Sequence, residues 1–407
     1  MSKKNIWIIN EYAGNPSYGM TFRHFYLAKA FNNSGHHTTI TSASYSHFLK
    51  KFPEMDSKKF KIEKVDNVDF LWIKVMHYAK SFDKKRVFKW FEFMFKLFFI
   101  SKYIPNKPDV VICSPSAPFS ILPAYFLAKK HKAKLVFEVR DIWPLTLVEV
   151  GGFSKLNPLI VTMSWFEKFA LKKSDFIVSN LQNYSEHMKE LGFNRKVFWV
   201  PNGVDLEEMK NSKPLKDKIV QMIPKDKFII GYTGKLGVSN AIYYFIEAAK
   251  LLQHNANIYF VIVGQGQEKK NLIEQSKMLN NVLFIDPIDK MKVQSMLSLF
   301  DVCYLGLQKE KLFKYGISPN KLFDYMYASK PILFAVDTTN NIVEIAKCGL
   351  SVEAENIVML KESIEKLSLE NGKKLDKMGQ NAKVYVVSQH SYDVLAKKYI
   401  NILEGGE

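Results

Sequence analysis

The chain has 407 residues, 47% of them apolar and 24% charged, with a formal net charge of +18 at pH 7. That balance excludes a disordered chain, and the length favours two folding units over a single core. Cys113, Cys303 and Cys348 form no CxxC pair and no cluster with histidine, which argues against a disulfide framework or a zinc site, and with no secretory leader in sight a reducing cytoplasm is expected.

The charge is lopsided. Residues 1–200 hold 31 Lys and Arg against 16 Asp and Glu, whereas the remainder holds 27 against 24. A genome-wide lysine bias would act on both halves alike, so the first half is expected to face something anionic: lipid headgroups, lipid diphosphates or nucleic acid.

In chain order, residues 4–10 (KNIWIIN) read as a short apolar strand, followed by a glycine-bearing loop from Gly14 to Gly19, the helical pattern FRHFYLAKAF, a Gly35-His36 turn and the β-rich HTTITSAS. Strand, loop, helix, turn and strand open a βαβ unit. Residues 87–104 (VFKWFEFMFKLFFISKYI) come nearest to a membrane span but are interrupted by lysines, so no spanning helix is expected. Two readings stand side by side: an interfacial helix with Lys84, Lys85, Arg86, Lys89, Trp90 and Phe91 in a headgroup layer, or a helix packed on its own sheet. Further strands are expected at 70–75, 110–113, 134–138, 176–179 and 197–200, and Pro201-Asn202-Gly203 opens a polar stretch to Pro224 that reads as an inter-domain linker. For His24, on the first helix, lining of a cleft stands against the more ordinary expectation that it packs inside or faces water.

A second alternation follows: FIIGYTG, IYFVIVGQG, VLFID, VCYLGL and PILFAV as strands with helical patterns between them. Two doubly wound α/β domains result, 1–200 and 201–385, with a terminal segment 386–407. Ligands of open parallel sheets bind beyond the strands' carboxyl ends. Glycine loops fall there at 231–237 (with Gly234) and at Gly264 and Gly266. Residues 316–331 (GISPNKLFDYMYASKP) then combine a turn, Gly316 to Asn320, with a helix start and an acid, Asp324. A helix start presents unpaired N–H groups to a diphosphate, and a carboxylate accepts from ribose hydroxyls, which is the chemistry of holding a sugar nucleotide. Lys235 and Lys321 stand ready for phosphate oxygens. The bland reading is an ordinary loop-to-helix junction.

These elements resemble family 4 of the retaining glycosyltransferases, which have the GT-B fold of two Rossmann-like domains facing a central cleft. The likeness covers nearly the whole chain. It rests on SYGMTFRHFYLAKAFNNSGHH, with Gly19 and Arg23; on FEVRDIWP, with Arg140 and Asp141; on VPNGVD, with Asn202 and Gly203; on GYTGKLG and VIVGQGQEKKNL; and above all on SPNKLFDYMYASKP, with Ser318, Pro319 and Asn320. The wording of RDIWP and SPNKLFDYM looks most like transferases that build bacterial O-antigen, capsule or other surface polysaccharide. Residues 386–407 resemble the terminal helix that crosses back to the first domain, although their pattern equally suits any surface helix.

Departures from the family pattern are specific. Asp324 takes the place of the second of two acids, the one that binds ribose, but Gly316 occupies the place of the first. Lys235 fills the first of two basic phosphate-binding places, and Asn240 the second. Arg140 replaces a histidine, so it cannot serve as a base and is expected to clamp an anion.

The resemblance implies transfer of a sugar from a UDP-sugar with retention, assisted by Lys235, Lys321 and Arg140, to a polyprenyl-diphosphate-linked saccharide, with an N-acetylated amino sugar as the expected donor group. No D-x-D occurs, so neither metal nor other cofactor is expected. The expected partners are a nucleotide-sugar donor, a lipid-linked acceptor and an anionic membrane surface, placing the protein peripherally on the inner face of the cytoplasmic membrane. Two alternatives are a GT-B-type sugar-nucleotide epimerase, which the glycine at 316 disfavours, and a basic nucleic-acid binder, which lacks aromatic stacking platforms among its basic residues.

Overall fold

A computed structural model describes residues 3–19, 23–78, 83 and 85–406. Two sheets organise it. The first contains β1 (Asn5–Ile9), β2 (His37–Ala43), β3 (Phe60–Val65), β4 (Val68–Ile73), β5 (Val110–Cys113), β6 (Lys134–Val139), β7 (Phe176–Ser179) and β8 (Val197–Trp199), in the order β3-β4-β2-β1-β5-β6-β7-β8. Every neighbouring pair is parallel except β3 with β4. The exception has a local cause: a two-residue turn at Asp66-Asn67, with Asp66 in the left-handed region, folds β3 back as a hairpin on the sheet edge. Its sequence, FKIEKV, stays partly exposed, and for that reason it lacks the continuous apolar run by which the central strands betray themselves.

The second sheet contains β9 (Phe228–Lys235), β10 (Ile258–Gln265), β11 (Val282–Ile285), β12 (Val302–Gly306), β13 (Ile332–Ala335) and β14 (Gly349–Val352), all parallel, in the order β11-β10-β9-β12-β13-β14. That is the dinucleotide-fold order, with its reversal between β9 and β12. The first sheet reverses between β1 and β5.

The chain divides into two units, Met1–Pro201 with Tyr392–Glu407, and Asn202–Ser391. The stretch expected to be a linker instead folds with the second unit, where Leu206–Lys210 and Asp217–Gln221 are short helices. Asp205 caps the first of these through Glu208 N at 2.7 Å, so local capping turns polar sequence into ordered structure.

In the first unit, helix α1 (Arg23–Asn33) and the Tyr392–Leu403 helix join one apolar cluster with the sheet; Phe31 meets Tyr399 edge-on at 5.7 Å. Helix α2 (Lys85–Leu97), the Ile121–His131 helix and the Pro158–Lys173 helix form a neighbouring group, in which Phe119 contacts both Phe91 and Phe166. In the second unit the Asn320–Tyr327 helix buries Leu322, Phe323, Tyr325 and Met326 and leaves its other face for chemistry.

Candidate active site

The glycine loops of the second unit lie at the carboxyl ends of β9 and β10, where Gly234 pairs with Gly264 and Lys235 with Gln265. A Cβ at Gly264 would stand 1.9 Å from the Gly234 carbonyl oxygen, and one at Gly266 would stand 1.9 Å from that of Leu236. The two glycines thus permit close approach of the extended strands, a packing role that accounts for glycine at both places.

Next to these strand ends sits the Asn320–Tyr327 helix. Lys321 Nζ donates to the Tyr232 hydroxyl at 2.9 Å and to Asn240 Oδ1, and lies 4.7 Å from the Tyr232 ring centroid. Loss of solvation pushes this ammonium down to about 7. Lys235, by contrast, is exposed, and its carbonyl accepts from the Tyr232 hydroxyl at 2.8 Å. Lys235 and Lys321 therefore share Tyr232 as a common support, and Lys321 in turn holds Asn240. The place where Asn240 lacks a charge is filled by a lysine from another element.

Gly316 has φ 101° and ψ 167°, a region that residues with a Cβ avoid, and it is buried. Glycine in the first acid's place is a backbone requirement of this loop. Ser318 is half-buried, and its hydroxyl accepts from Asn202 N at 2.8 Å while its carbonyl accepts from Asn202 Nδ2 at 2.6 Å. The two residues expected at the substrate hold each other, so the segment Asn202-Gly203 serves first to fix the Gly316–Asn320 loop. Pro319 is half-buried, and Asn320 is exposed at the start of the helix.

Asp324 is engaged as well: Lys290 Nζ pairs with it at 2.6 Å, and the Lys290 ammonium stands 4.0 Å from Glu208. Burial raises Glu208, Lys290 pulls it back, and Asp324 raises it further. A ribose reaching Asp324 must share or displace Lys290.

In the first unit, Arg140 and Asp141 follow β6, and Arg140 Nε is buried with no hydrogen-bond partner among the described residues. Arg23 differs from expectation. Its guanidinium is buried and donates to Glu138 at 2.9 Å, to the Val200 carbonyl at 2.8 Å and to the Pro201 carbonyl, so it braces its own chain rather than a substrate. His24, equally buried, meets Ser114 Oγ at 2.9 Å and Glu138 at 3.3 Å, and burial pushes its imidazole down to about 4. Burial would raise Glu138, but Arg23, His24 and Ser114 together hold it well below the usual carboxylate range. Gly19 is buried at a turn closed on Asn15, with Lys50 lying over it.

The membrane assignment also changes in part. Lys89 and Trp90 are buried: the Lys89 ammonium lies 4.1 Å from the Tyr12 ring centroid, and Trp90 Nε1 donates to the Tyr12 hydroxyl at 2.8 Å. Arg86 donates to that same hydroxyl at 3.0 Å. Burial raises Glu11 to about 7 against the pull of Lys89 and Arg86, and burial lowers Lys89 to about 8 against the pull of Glu11. The physical reason is that Lys89 lies on the sheet side of α2, where Glu11 and Tyr12 replace water. Phe91 is half-buried on Phe119 at 4.6 Å, Lys85 is exposed, and Lys84 lies outside the described residues.

Residues 19–208 match the family model described as Glycosyltransferase Family 4, and residues 213–385 match that of Glycosyl transferases group 1. The chain is a glycosyltransferase of the GT-B type. This glycosyltransferase is 28% identical over 186 residues to an uncharacterized glycosyltransferase of Methanocaldococcus jannaschii, an alignment covering 43% of each chain and thus under half of that relative's length. It is 22% identical over 311 residues, 74% of each chain, to a provisionally named colanic acid biosynthesis glycosyl transferase, WcaI, of Escherichia coli strain K12. Among solved structures, sucrose-phosphate synthase from Thermosynechococcus elongatus superposes with a TM-score of 0.72 at 15% identity over 99% of both chains. The Anabaena protein HepE in complex with UDP-glucose gives 0.65 at 12%, over 99% of this chain and 100% of that one. WaaG, described as a glycosyltransferase involved in lipopolysaccharide biosynthesis, gives 0.65 at 17%, again over 99% and 100%.

Three contributors were missed by sequence reasoning: Tyr232, Lys290 and Glu11. Tyr232 sits inside the glycine loop itself, and Glu11 follows β1 directly at a strand's carboxyl end, so position gave a signal for both. Lys290 gave none, being 34 positions from its partner.

Proposed function

We propose that the protein transfers a sugar, expected to be an N-acetylated amino sugar, from a UDP-sugar to a polyprenyl-diphosphate-linked saccharide during synthesis of a bacterial surface polysaccharide. The observation that carries the donor half is the meeting of Lys321 with Tyr232 and Asn240 beside the ends of β9 and β10. As the bond from the sugar's anomeric carbon to the nucleotide breaks, the leaving diphosphate gains negative charge, and a poorly solvated ammonium gains more from that charge than from the ground state. Lys235 and the N–H groups at the start of the Asn320–Tyr327 helix add to it, and Asp324 accepts from the ribose. Arg140 acts in the first unit as an anion clamp.

Retention of the anomeric configuration follows from the family resemblance, with the leaving phosphate assisting removal of the acceptor proton. The reaction is metal-independent in this reading, which the missing D-x-D motif supports. The HepE complex with UDP-glucose supports UDP as carrier, and the colanic acid and lipopolysaccharide descriptions of two similar proteins support a polysaccharide acceptor. The basic first half supports work at the inner membrane face.

Thermal shift across UDP-, GDP- and dTDP-sugars tests the donor class. Stabilisation confined to UDP compounds is expected; selective stabilisation by a GDP- or dTDP-sugar would overturn the assignment. Incubation with donor alone separates this reading from an epimerase, since only the latter isomerises the sugar without acceptor.

A further inference from the structure

Three helices of the first unit share a surface that no catalytic role uses. Helix α2, the Ile121–His131 helix and the Pro158–Lys173 helix each carry an apolar stripe facing solvent: Phe88, Phe95, Phe126, Val161 and Trp165 are all more than half exposed. The stripes are continuous. Phe98 meets Phe126 at 6.1 Å, Phe126 meets Tyr125 at 5.5 Å, Tyr125 meets Phe169 edge-on at 5.3 Å, and Phe169 stacks on Trp165 at 5.6 Å. One aromatic ribbon therefore runs from Phe98, in the turn that ends α2, across the other two helices, beside the exposed Phe88 and Phe95 of α2.

Its charge is one-sided. Lys85, Lys129, Lys130, Lys168, Lys172 and Lys173 are exposed on these helices, and their two acids are already engaged, Glu92 with Lys96 at 2.6 Å and Glu167 with His187 at 3.0 Å. Aromatic rings with lysines beside them and no free carboxylate suit the headgroup zone of an anionic bilayer, where rings enter the interface and ammoniums meet phosphates. A second copy of this surface would bring lysines against lysines. No helix among the described residues is long and apolar enough to cross a membrane.

We infer that this three-helix ribbon is the surface by which the protein docks on an anionic phospholipid bilayer. The ribbon takes the place of the face containing Lys89 and Trp90. It deepens the reading of a lipid-linked acceptor and rests on that reading for its purpose.

The test is co-sedimentation of the full chain with vesicles of phosphatidylglycerol and phosphatidylcholine in equal parts, beside pure phosphatidylcholine. Binding to the mixed vesicles should fall roughly tenfold or more in the variant Phe95→Ser, Phe126→Ser, Trp165→Ser. UDP affinity, which depends on the other unit, should stay unchanged, so loss of docking and failure of the donor reading are told apart. In the wild type, brominated lipid should quench tryptophan fluorescence, and Trp165→Phe, which leaves packing intact, should remove that quenching. Vesicle binding undiminished in the triple variant, quenching unaltered by Trp165→Phe, or no vesicle binding by the wild type would overturn the inference. So would self-association of the wild type that the triple variant abolishes.

Discussion

Lys321 donates to the side-chain oxygen of Asn240, 81 positions earlier in the chain. A lysine of the Asn320–Tyr327 helix therefore delivers its charge to the place where the β9 loop carries only an amide. Burial against Tyr232 and Asn240 leaves that ammonium poorly solvated.

Proton uptake should betray it. In the free protein Lys321 titrates at about 7, so above that pH it is largely neutral. A diphosphate favours the charged form, and UDP binding at pH 8 should then draw in close to one proton, with affinity falling as pH rises further. Calorimetry in two buffers of different ionisation enthalpy measures this, and Lys321→Met should abolish the uptake and lower turnover by about a hundredfold or more.

The same residue sets a stability trend. A lysine whose folded value lies below its ordinary 10.5 contributes stability that is present above that pH and is lost as pH falls through about 7. Lys321→Met should therefore gain melting temperature relative to wild type as pH is lowered from 10 to 7; a constant difference would count against the desolvated ammonium.

Gly316→Glu restores the acid of the family pattern but demands φ 101° of a residue with a side chain. We expect a loss of about 1–3 kcal/mol in stability and weaker UDP binding, measured by denaturant unfolding and calorimetry. Gain of activity would show that the loop accepts the acid.

Asp324→Asn should weaken UDP binding about tenfold through the lost ribose contact. Lys290→Met, which frees Asp324 from its 2.6 Å pair, should leave UDP affinity within about threefold of wild type or improve it. A larger loss from Lys290→Met would assign the ligand contact to the lysine.

Arg23→Met leaves the Glu138 carboxylate buried without its main counter-charge, and should cost about 3–5 kcal/mol while leaving UDP affinity untouched. Adding Glu138→Gln should restore part of the loss. Unfolding curves of the wild type and the two variants decide it.

Much of the fold was legible because buried parallel strands such as NIWII and IYFVIVGQ are apolar on both faces. Strand β3 was not legible, since its lysines and glutamate mark an edge, and β14, GLSV, is too short to show a period. Candidate site residues stand out where a loop or helix start announces them, as at Lys235 and residues 316–324. Their partners were not: whether Lys89 faces lipid or Glu11, or Arg23 a substrate or Glu138, depends on residues far away in sequence. A basic residue on a helix looks the same in sequence whether it faces water or a buried acid.

A crystal structure with UDP bound decides whether Lys321 meets the diphosphate. Diphosphate oxygens should lie within hydrogen-bonding distance of Lys321 Nζ, near the ends of β9 and β10, with the ribose on Asp324 and Lys290 shared or displaced. A nucleotide bound elsewhere, with Lys321 still held only by Tyr232 and Asn240, would contradict that placement.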